Sequence, residues 1–275
     1  MGTALGKQLV VRFDRANELR CYITAVAAHG LLLVLFALLC AGLLPPSLFL
    51  LLGFFAYIRN FNALHEGSHA RQAKDNPLRR LHFGMMIVHS PFQLGFHALA
   101  SNHRLHHAFP CDLAHDPNAS LNRGRWYVAA PCASIQPEFA ALHFLRRTGF
   151  NARIRNVLVY NCAMVAILAA FAGTNIVWWL LLTRLGSLAT WFAFDWILHH
   201  PDVYSRPATT SMPRLIQWLW IAMFSRANLN AFRFHALHHA YPGVADLQLP
   251  ALASFLTEQD GQPPPTADWT APITA

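Results

Sequence analysis

Four largely apolar stretches constrain the fold of this chain more than any other feature of its sequence. They occupy residues 22–44, 48–64, 157–172 and 176–198. A helix needs about 20 apolar residues to cross the hydrocarbon core of a bilayer, so these stretches predict four transmembrane helices. Pro45-Pro46 separates the first pair, and the uncharged segment 172–175 separates the second. We therefore expect an all-α integral membrane protein with two helical hairpins.

The composition supports a membrane protein and explains the basic charge. Hydrophobic residues make up 55% of the 275 residues and charged residues 12%, whereas soluble domains carry about 25% charged residues. The turns within both hairpins contain no Lys or Arg, so the positive-inside rule predicts that the opposite side and both termini lie in the cytosol. We expect the membrane to be a bacterial inner membrane. This topology explains the net charge of +8. A docking face for an acidic electron-transfer protein is the alternative explanation.

Histidines are concentrated at the membrane-flanking ends of these stretches. Ten of the 16 histidines fall into four clusters, which are His65 and His69, then His103, His106 and His107, then His199 and His200, and finally His235, His238 and His239. Residues three and four apart share one face of a helix, so each cluster can aim two or three of its rings at one point. Imidazole binds transition metals well, and one zinc takes about four ligands. The set therefore predicts a two-metal site, with its histidines on the cytosolic side.

The remaining features predict one domain and no disulfide frame. The five cysteines are scattered and form no CxxC motif, so they are interpreted as buried apolar residues or free thiols. We assign residues 1–258 to one membrane domain. The tail 259–275 contains Gln-Pro-Pro-Pro and is predicted to be disordered.

Three motifs resemble the histidine boxes of the membrane fatty acid desaturases and hydroxylases. They read HEGSH at 65–69, HRLHH at 103–107 and HALHH at 235–239. The resemblance extends over most of residues 20–250. It implies a cytosolic or interfacial helical cap that carries a non-haem di-iron centre, which activates O₂ and abstracts hydrogen from an unactivated C–H bond of a lipid.

The resemblance also implies which side chains hold the two iron ions. Carried over, the ligands are His65, His69, His103, His106, His107, His235, His238 and His239, with His199, or His200 in its place, at the end of the fourth span. Residues expected to support these ligands are Asp195, His200, Asp112, Asp116 and Asn228.

Asp195 departs from the family pattern. Acyl-CoA desaturases have an Asn one helical turn before the histidine of the fourth span, and that Asn holds an iron-bound water. A carboxylate at this place could bind iron directly or orient His199. The alternative is that Asp195 pairs with Arg184.

Within this superfamily a fatty acyl desaturase is the first expectation. The alternative is a hydroxylase or ketolase of a carotenoid or other terpenoid, because the compact length, the HxxxH first box and the stretch 112–116 also resemble carotenoid ketolases. The sequence contains no flavin or haem motif. Electrons would therefore come from an external reductant, such as a ferredoxin- or rubredoxin-like protein.

Two other classes of protein explain the histidines less completely. The first box is also H-E-x-x-H, in which two histidines bind zinc and the Glu acts as general base of a metalloprotease. One zinc would leave at least five clustered histidines without a role. A metal transporter is a second rival, although the predicted spans contain little polar lining.

Overall fold

The computed structural model describes residues 17–69, 94–123, 125–199 and 213–260. Every regular element within these ranges is a helix. The segment 70–93 lies outside the described residues, as do His200 and the tail from residue 261.

The first hairpin consists of α1, Glu18–Cys40, and α2, Pro46–Gly67. Helix α1 begins and ends four residues earlier than the predicted span 22–44. The turn between the helices contains Gly42 at φ +73°, a conformation that glycine adopts at little cost. Pro46 occupies the first helical position of α2, where its missing N–H has no partner to lose. The histidines of the first box therefore lie at the far end of α2.

Four short helices lie in the described ranges between residue 94 and the next long apolar segment. They are α3, Gly95–Ala108; α4, Ala119–Asn122; α5, Trp126–Ala133; and α6, Gln136–Thr148. Helices α3 and α6 pack through Leu94, Ala98, Ala141 and Phe144. This packing fixes the second box, which lies on the last two turns of α3.

The second apolar region is a helical segment of 46 residues, Ile154–His199. Its first helix is α7, Ala152–Ala172, which begins two residues before this segment. A 3₁₀ turn, Gly173–Asn175; α8, Ile176–Thr190; a π-helix, Trp191–Trp196; and α9, Ile197–His199, follow in order. Gly173, at φ +54°, interrupts this segment where the sequence predicts a turn.

Within the described ranges, three helical segments are long and apolar enough to cross a membrane. A straight helix of 46 residues would measure about 69 Å, more than twice the thickness of a hydrocarbon core of about 30 Å. The break at Gly173 divides the third segment into two helices. The arrangement of four spans in two hairpins stays a prediction.

Helices α2 and α8 pack closely because two glycines lie at their contact. Gly53 faces Leu182, and Gly186 faces the ring of Tyr57. A Cβ at residue 186 would collide with that ring. The hydroxyls of Tyr57 and Ser187 lie 3.1 Å apart across the same contact. Small residues commonly allow such close helix approach in membranes.

The C-terminal part contains α10, Arg214–Met223; α11, Arg226–Arg233; α12, His235–Ala240; a 3₁₀ turn, Asp246–Gln248; and α13, Leu249–Asp260. Trp218, on α10, is 74% exposed, and exposed tryptophans are common at the membrane–water interface. Arg59 donates to the carbonyls of Ile221 and Ala222 at the end of α10, each at 2.8 Å. Helix α2 thereby holds the segment that leads to the third box.

Arg184 pairs with Glu138 and not with Asp195. The Arg184 guanidinium donates to Glu138 Oε1 at 2.6 Å and to the Ser134 carbonyl at 3.2 Å. The alternative pairing expected for Asp195 is therefore wrong. The Arg184–Glu138 pair joins α8 to α6 beside the cavity described below.

Candidate metal centre

The nine histidines expected to bind iron come together at the ends of four helical segments. His65 lies on the last turn of α2, and His69 follows that helix. The second box occupies the end of α3, His199 ends α9, and the third box forms most of α12. Sequence segments as distant as residues 65 and 239 thus contribute to one cluster.

Four histidines form an outer group, which consists of His65, His69, His103 and His238. One nitrogen from each lies within 4.8 Å of the others. The Nε2 atoms of His69 and His103 are 2.8 Å apart. His238 is buried, whereas the other three are partly exposed.

Three histidines form a buried group, which consists of His106, His199 and His239. Their nitrogens also lie within 4.8 Å of one another, and all three residues are buried. The Nε2 atoms of His199 and His239 are 3.4 Å apart. The ring centroids of His106 and His199 are separated by 4.5 Å.

His107 and His235 complete the cluster. His107 Nε2 lies 3.0 Å from His103 Nε2 in the outer group, and its ring stacks on His239 of the buried group at 4.1 Å. His235 Nε2 lies 3.0 Å from His199 Nε2. The two groups are therefore contiguous.

Each HxxHH box contributes histidines to both groups, although two rings of the second box, His103 and His107, also face each other. In the second box His103 belongs to the outer group and His106 to the buried group. In the third box His238 and His239 are divided in the same way. The turn of the helix that separates His103 from His106 thus spans the distance between two candidate metal positions.

The facing nitrogens suit a metal cation. Two facing Nε2 atoms can share only one proton, whereas a cation accepts a lone pair from each. Burial lowers the pKa of the box histidines outside the spans, and neighbouring imidazoles lower it further; this holds for His69, His103, His107, His235 and His239. These rings are thus neutral near pH 7, which is the form that binds metals. The donor set fits iron, zinc or copper.

Two aspartates orient the middle histidine of each HxxHH box. His106 Nδ1 lies 3.0 Å from Asp116 Oδ2, and His238 Nδ1 lies 2.9 Å from Asp246 Oδ1. Carboxylates in this position fix the tautomer of a metal-binding histidine and raise its basicity. Although burial lowers the pKa of His106, the charge and hydrogen bond of Asp116 outweigh burial and raise it.

Asp246 is a functional residue that the sequence analysis missed. It is 3% exposed and follows His238 by eight residues, just as Asp116 follows His106 by ten. The repeated order of a histidine box and a later Asp is the signal that could have identified it.

Asp195 acts on His199 through its backbone. The Nδ1 atom of His199 donates to the Asp195 carbonyl at 2.9 Å. The Asp195 carboxylate accepts from Asn118 Nδ2 at 2.9 Å and belongs to neither histidine group. The π-helix ends directly after Asp195, and π-helical turns often occur at functional sites.

Asp112 and Asn228, which were also predicted to support the ligands, form hydrogen bonds with other residues. The exposed Asp112 carboxylate accepts from His115 at 3.0 Å and contacts no ligand histidine within the described chain. Asn228 accepts from Trp220 Nε1 at 2.8 Å. Glu66, the general base in the protease alternative, is buried in a salt bridge with Arg20.

A cavity adjoins both histidine groups and extends between α3, α6 and the end of the second apolar region. It encloses about 1080 Å³, a volume that includes space open to the outside. Apolar side chains on its wall include Leu94, Ala98, Leu99, Phe194 and Leu198, and polar ones include Asn102, Asn118, Gln136 and Asp195. A mainly apolar molecule can therefore reach the metal centre.

Comparison with known proteins identifies one family. The family model described as fatty acid desaturase matches residues 41–269, which is more than half of the chain and includes all three boxes. No curated protein and no solved structure matches the chain.

Proposed function

The chain belongs to the fatty acid desaturase family, and from this premise we propose that it is a di-iron, O₂-dependent fatty acyl desaturase. It is a membrane oxidoreductase of lipid metabolism that uses iron. The observation that carries the proposal is the division of the histidines into two adjoining groups beside a largely apolar cavity.

The outer group would hold one iron and the buried group the other, with His107 and His235 between them. When bound, two irons supply the reduction of O₂ and the abstraction of hydrogen from an unactivated C–H bond. The protein's own part is to keep the imidazoles neutral and oriented. Asp116, Asp246 and the Asp195 carbonyl perform this orientation.

The substrate and the electron donor follow from the surroundings of the site. Apolar cavity residues such as Leu94, Leu99 and Phe194 favour a hydrocarbon chain. The sequence contains no flavin or haem motif, so a cytosolic ferredoxin- or rubredoxin-like protein would deliver the electrons. The histidines would face the cytosol, in agreement with the distribution of basic residues.

Hydroxylation or ketolation of a carotenoid or other terpenoid is the second candidate function. The polar side chains of Asn118 and Asp195 on the cavity wall favour it, because an oxygenated product could form hydrogen bonds there. Both reactions begin with the same hydrogen abstraction.

The first test measures the metal content of detergent-purified wild type and His106→Ala and profiles the lipids and pigments of an expressing host. We expect two irons per chain in wild type, less in the variant, and a new double bond in the host lipids. An oxygenated pigment would favour the second candidate. About one zinc per chain, unaffected by the substitution, would refute both.

Glu66→Gln separates these reactions from proteolysis. A protease that uses Glu66 as general base would lose all activity. Because Glu66 pairs with Arg20, the oxidoreductase should keep its iron and part of its turnover in this variant.

A further inference from the structure

Asn102 places a buried acceptor on the cavity wall. It lies on α3 directly before His103 and is 5% exposed. Its Nδ2 donates to the Ala140 carbonyl at 2.7 Å, which fixes the orientation of the amide. Its Oδ1 is buried and accepts no hydrogen bond from any described residue. A buried acceptor in this state destabilises the protein unless a ligand or water donates to it.

Asp195 is a second acceptor on the same wall. Gln136 Nε2 donates to Asn118 Oδ1 at 2.9 Å, and Asn118 Nδ2 donates to Asp195 Oδ1 at 2.9 Å. The hydrogen bonds thus run from Gln136 to Asn118 and from Asn118 to Asp195, and they end on the Asp195 carboxylate. In the described ranges no side chain donates to the other carboxylate oxygen.

Both acceptors lie within one helical turn of predicted iron ligands. Asn102 precedes His103, and Asp195 lies four residues before His199. A plain hydrocarbon chain in this cavity would leave Asn102 Oδ1 without a donor and would place apolar atoms beside the Asp195 carboxylate, which has one donor among the described residues, Asn118. We infer that the lipid substrate carries a hydroxyl group close to the carbon that is oxidised, an inference that rests on the proposed function.

A hydroxyl group of the substrate can donate a hydrogen bond to the acceptors on this wall, whereas a ketone cannot. The hydroxyl donates one hydrogen bond and also accepts, whereas a ketone only accepts and would face two acceptors. Sites built to bind a polar substrate group strongly reject analogues that lack it, because the buried partners are then left unpaired. The wall should therefore discriminate between a hydroxy lipid and a keto lipid of the same length.

The test uses iron-loaded, detergent-purified protein and octadecanoic acids as probes. One series carries a hydroxyl at successive positions from C2 to C12, a second carries a ketone at the same positions, and octadecanoic acid itself is the reference. We expect at least one hydroxy isomer to bind about tenfold tighter than both the reference and its keto analogue. Equal or weaker binding of every hydroxy isomer would refute the inference.

Two substitutions test the assignment of the acceptors. Asp195→Asn can present an N–H to the cavity, so the affinity ratio of hydroxy to keto probe should fall about tenfold. Asn102→Leu removes the other acceptor and should lower the same ratio. A purely structural defect would instead weaken all probes alike. Iron content confirms that each variant is folded.

Ser187→Ala is the matched control. Ser187 lines the same cavity, but its hydroxyl is hydrogen-bonded to Tyr57. This substitution should leave the ratio of hydroxy to keto affinity unchanged. An equal fall of the ratio in Ser187→Ala would show that the preference is not located at Asn102 and Asp195.

Failure of this inference can be distinguished from failure of the proposed function. If the protein holds two irons and oxidises octadecanoic acid without preferring a hydroxy isomer, the inference is wrong and the desaturase proposal stands. If the protein binds no iron and oxidises no probe, the proposed function itself is wrong, and the inference fails with it.

Discussion

The outer and buried histidine groups differ in how firmly their ligands are oriented. In the buried group Asp116 holds His106 and the Asp195 carbonyl holds His199. In the outer group Asp246 holds His238, while three ligands are partly exposed. The comparison indicates that the two metal positions, although adjacent, should respond differently to substitution and to acid.

The largest effect should come from removing one ligand of either group. His106→Ala deletes a ligand of the buried group, and His69→Ala deletes one of the outer group. We expect turnover below detection and a loss of about one iron per chain in each case, because each deletion removes a protein–metal bond and distorts the coordination of the remaining histidines. The same loss of activity is expected for all eight box histidines. Retained turnover in either variant would refute the ligand assignment.

Elemental analysis and iron spectroscopy of both variants would sharpen the comparison. The iron retained in His69→Ala should resemble that of the buried group, and the iron retained in His106→Ala that of the outer group. Identical spectra for the two variants would contradict a division into two distinct sites.

A smaller effect should follow from removing the carboxylates. Asp116→Asn and Asp246→Asn should each weaken iron binding by about 10- to 100-fold, the range typical of such supporting residues. Asp116→Asn should affect the buried group and Asp246→Asn the outer one, as measured by iron titration. Asp112→Asn is the matched control, since Asp112 is exposed and bonded to His115, and it should leave the affinity unchanged.

The two histidine groups should also differ in the pH at which they release iron. The pKa of His106 is raised above the ordinary 6.5 because Asp116 outweighs burial, whereas burial and neighbouring histidines lower the pKa of His69 and His103. Protonation competes with metal binding. As the pH falls, a proton should therefore compete with the metal at His106 before it does so at His69 or His103, and iron should leave the buried group at a higher pH than the outer group.

Iron release measured against pH checks this order. In Asp116→Asn the pKa of His106 falls, so release from the buried group should begin at a lower pH even though the affinity at neutral pH is weaker. An onset that does not move, or that moves upward, would show that Asp116 does not control this proton.

The smallest effect should come from Cys111→Gly. Cys111 has φ +63°, a conformation that is strained for residues other than glycine. Its backbone N–H donates to Asp116 Oδ2 at 2.9 Å, and glycine keeps that donor. The free energy of unfolding should rise by up to about 1 kcal/mol with iron binding unchanged, as measured by thermal denaturation and iron analysis. A loss of iron would mean that the Cys111 side chain is itself required.

Hydropathy predicted the apolar helices, and the spacing of the histidines predicted that they gather in one cluster. The histidines are recognisable because their pattern is local, at three- and four-residue intervals on single helices. Helix α1 begins four residues before the predicted span because Glu18 and Arg20 are already helical, and Arg20 pairs with Glu66 on α2. Hydropathy alone does not reveal such a pairing.

The features that were missed depend on contacts between distant segments. A loop separates Asp246 from the third box, and the histidine motif does not set the length of this loop. Only the fold shows that the Asp246 carboxylate contacts His238. Likewise, a single sequence does not show that Arg184 prefers Glu138 over Asp195. Nor does spacing reveal that a box is divided between two metal positions, because one helical face can serve either arrangement.

Gly186 places a limit on how this chain can vary over evolutionary time. The residue has no side chain to offer to catalysis, yet its contact with Tyr57 sets the distance between α2 and α8. These helices lead to His65 and His199, which belong to different histidine groups. A single added methyl group would collide with the Tyr57 ring and would push α2 and α8 apart, so a change at this position would disturb the histidine groups without touching them.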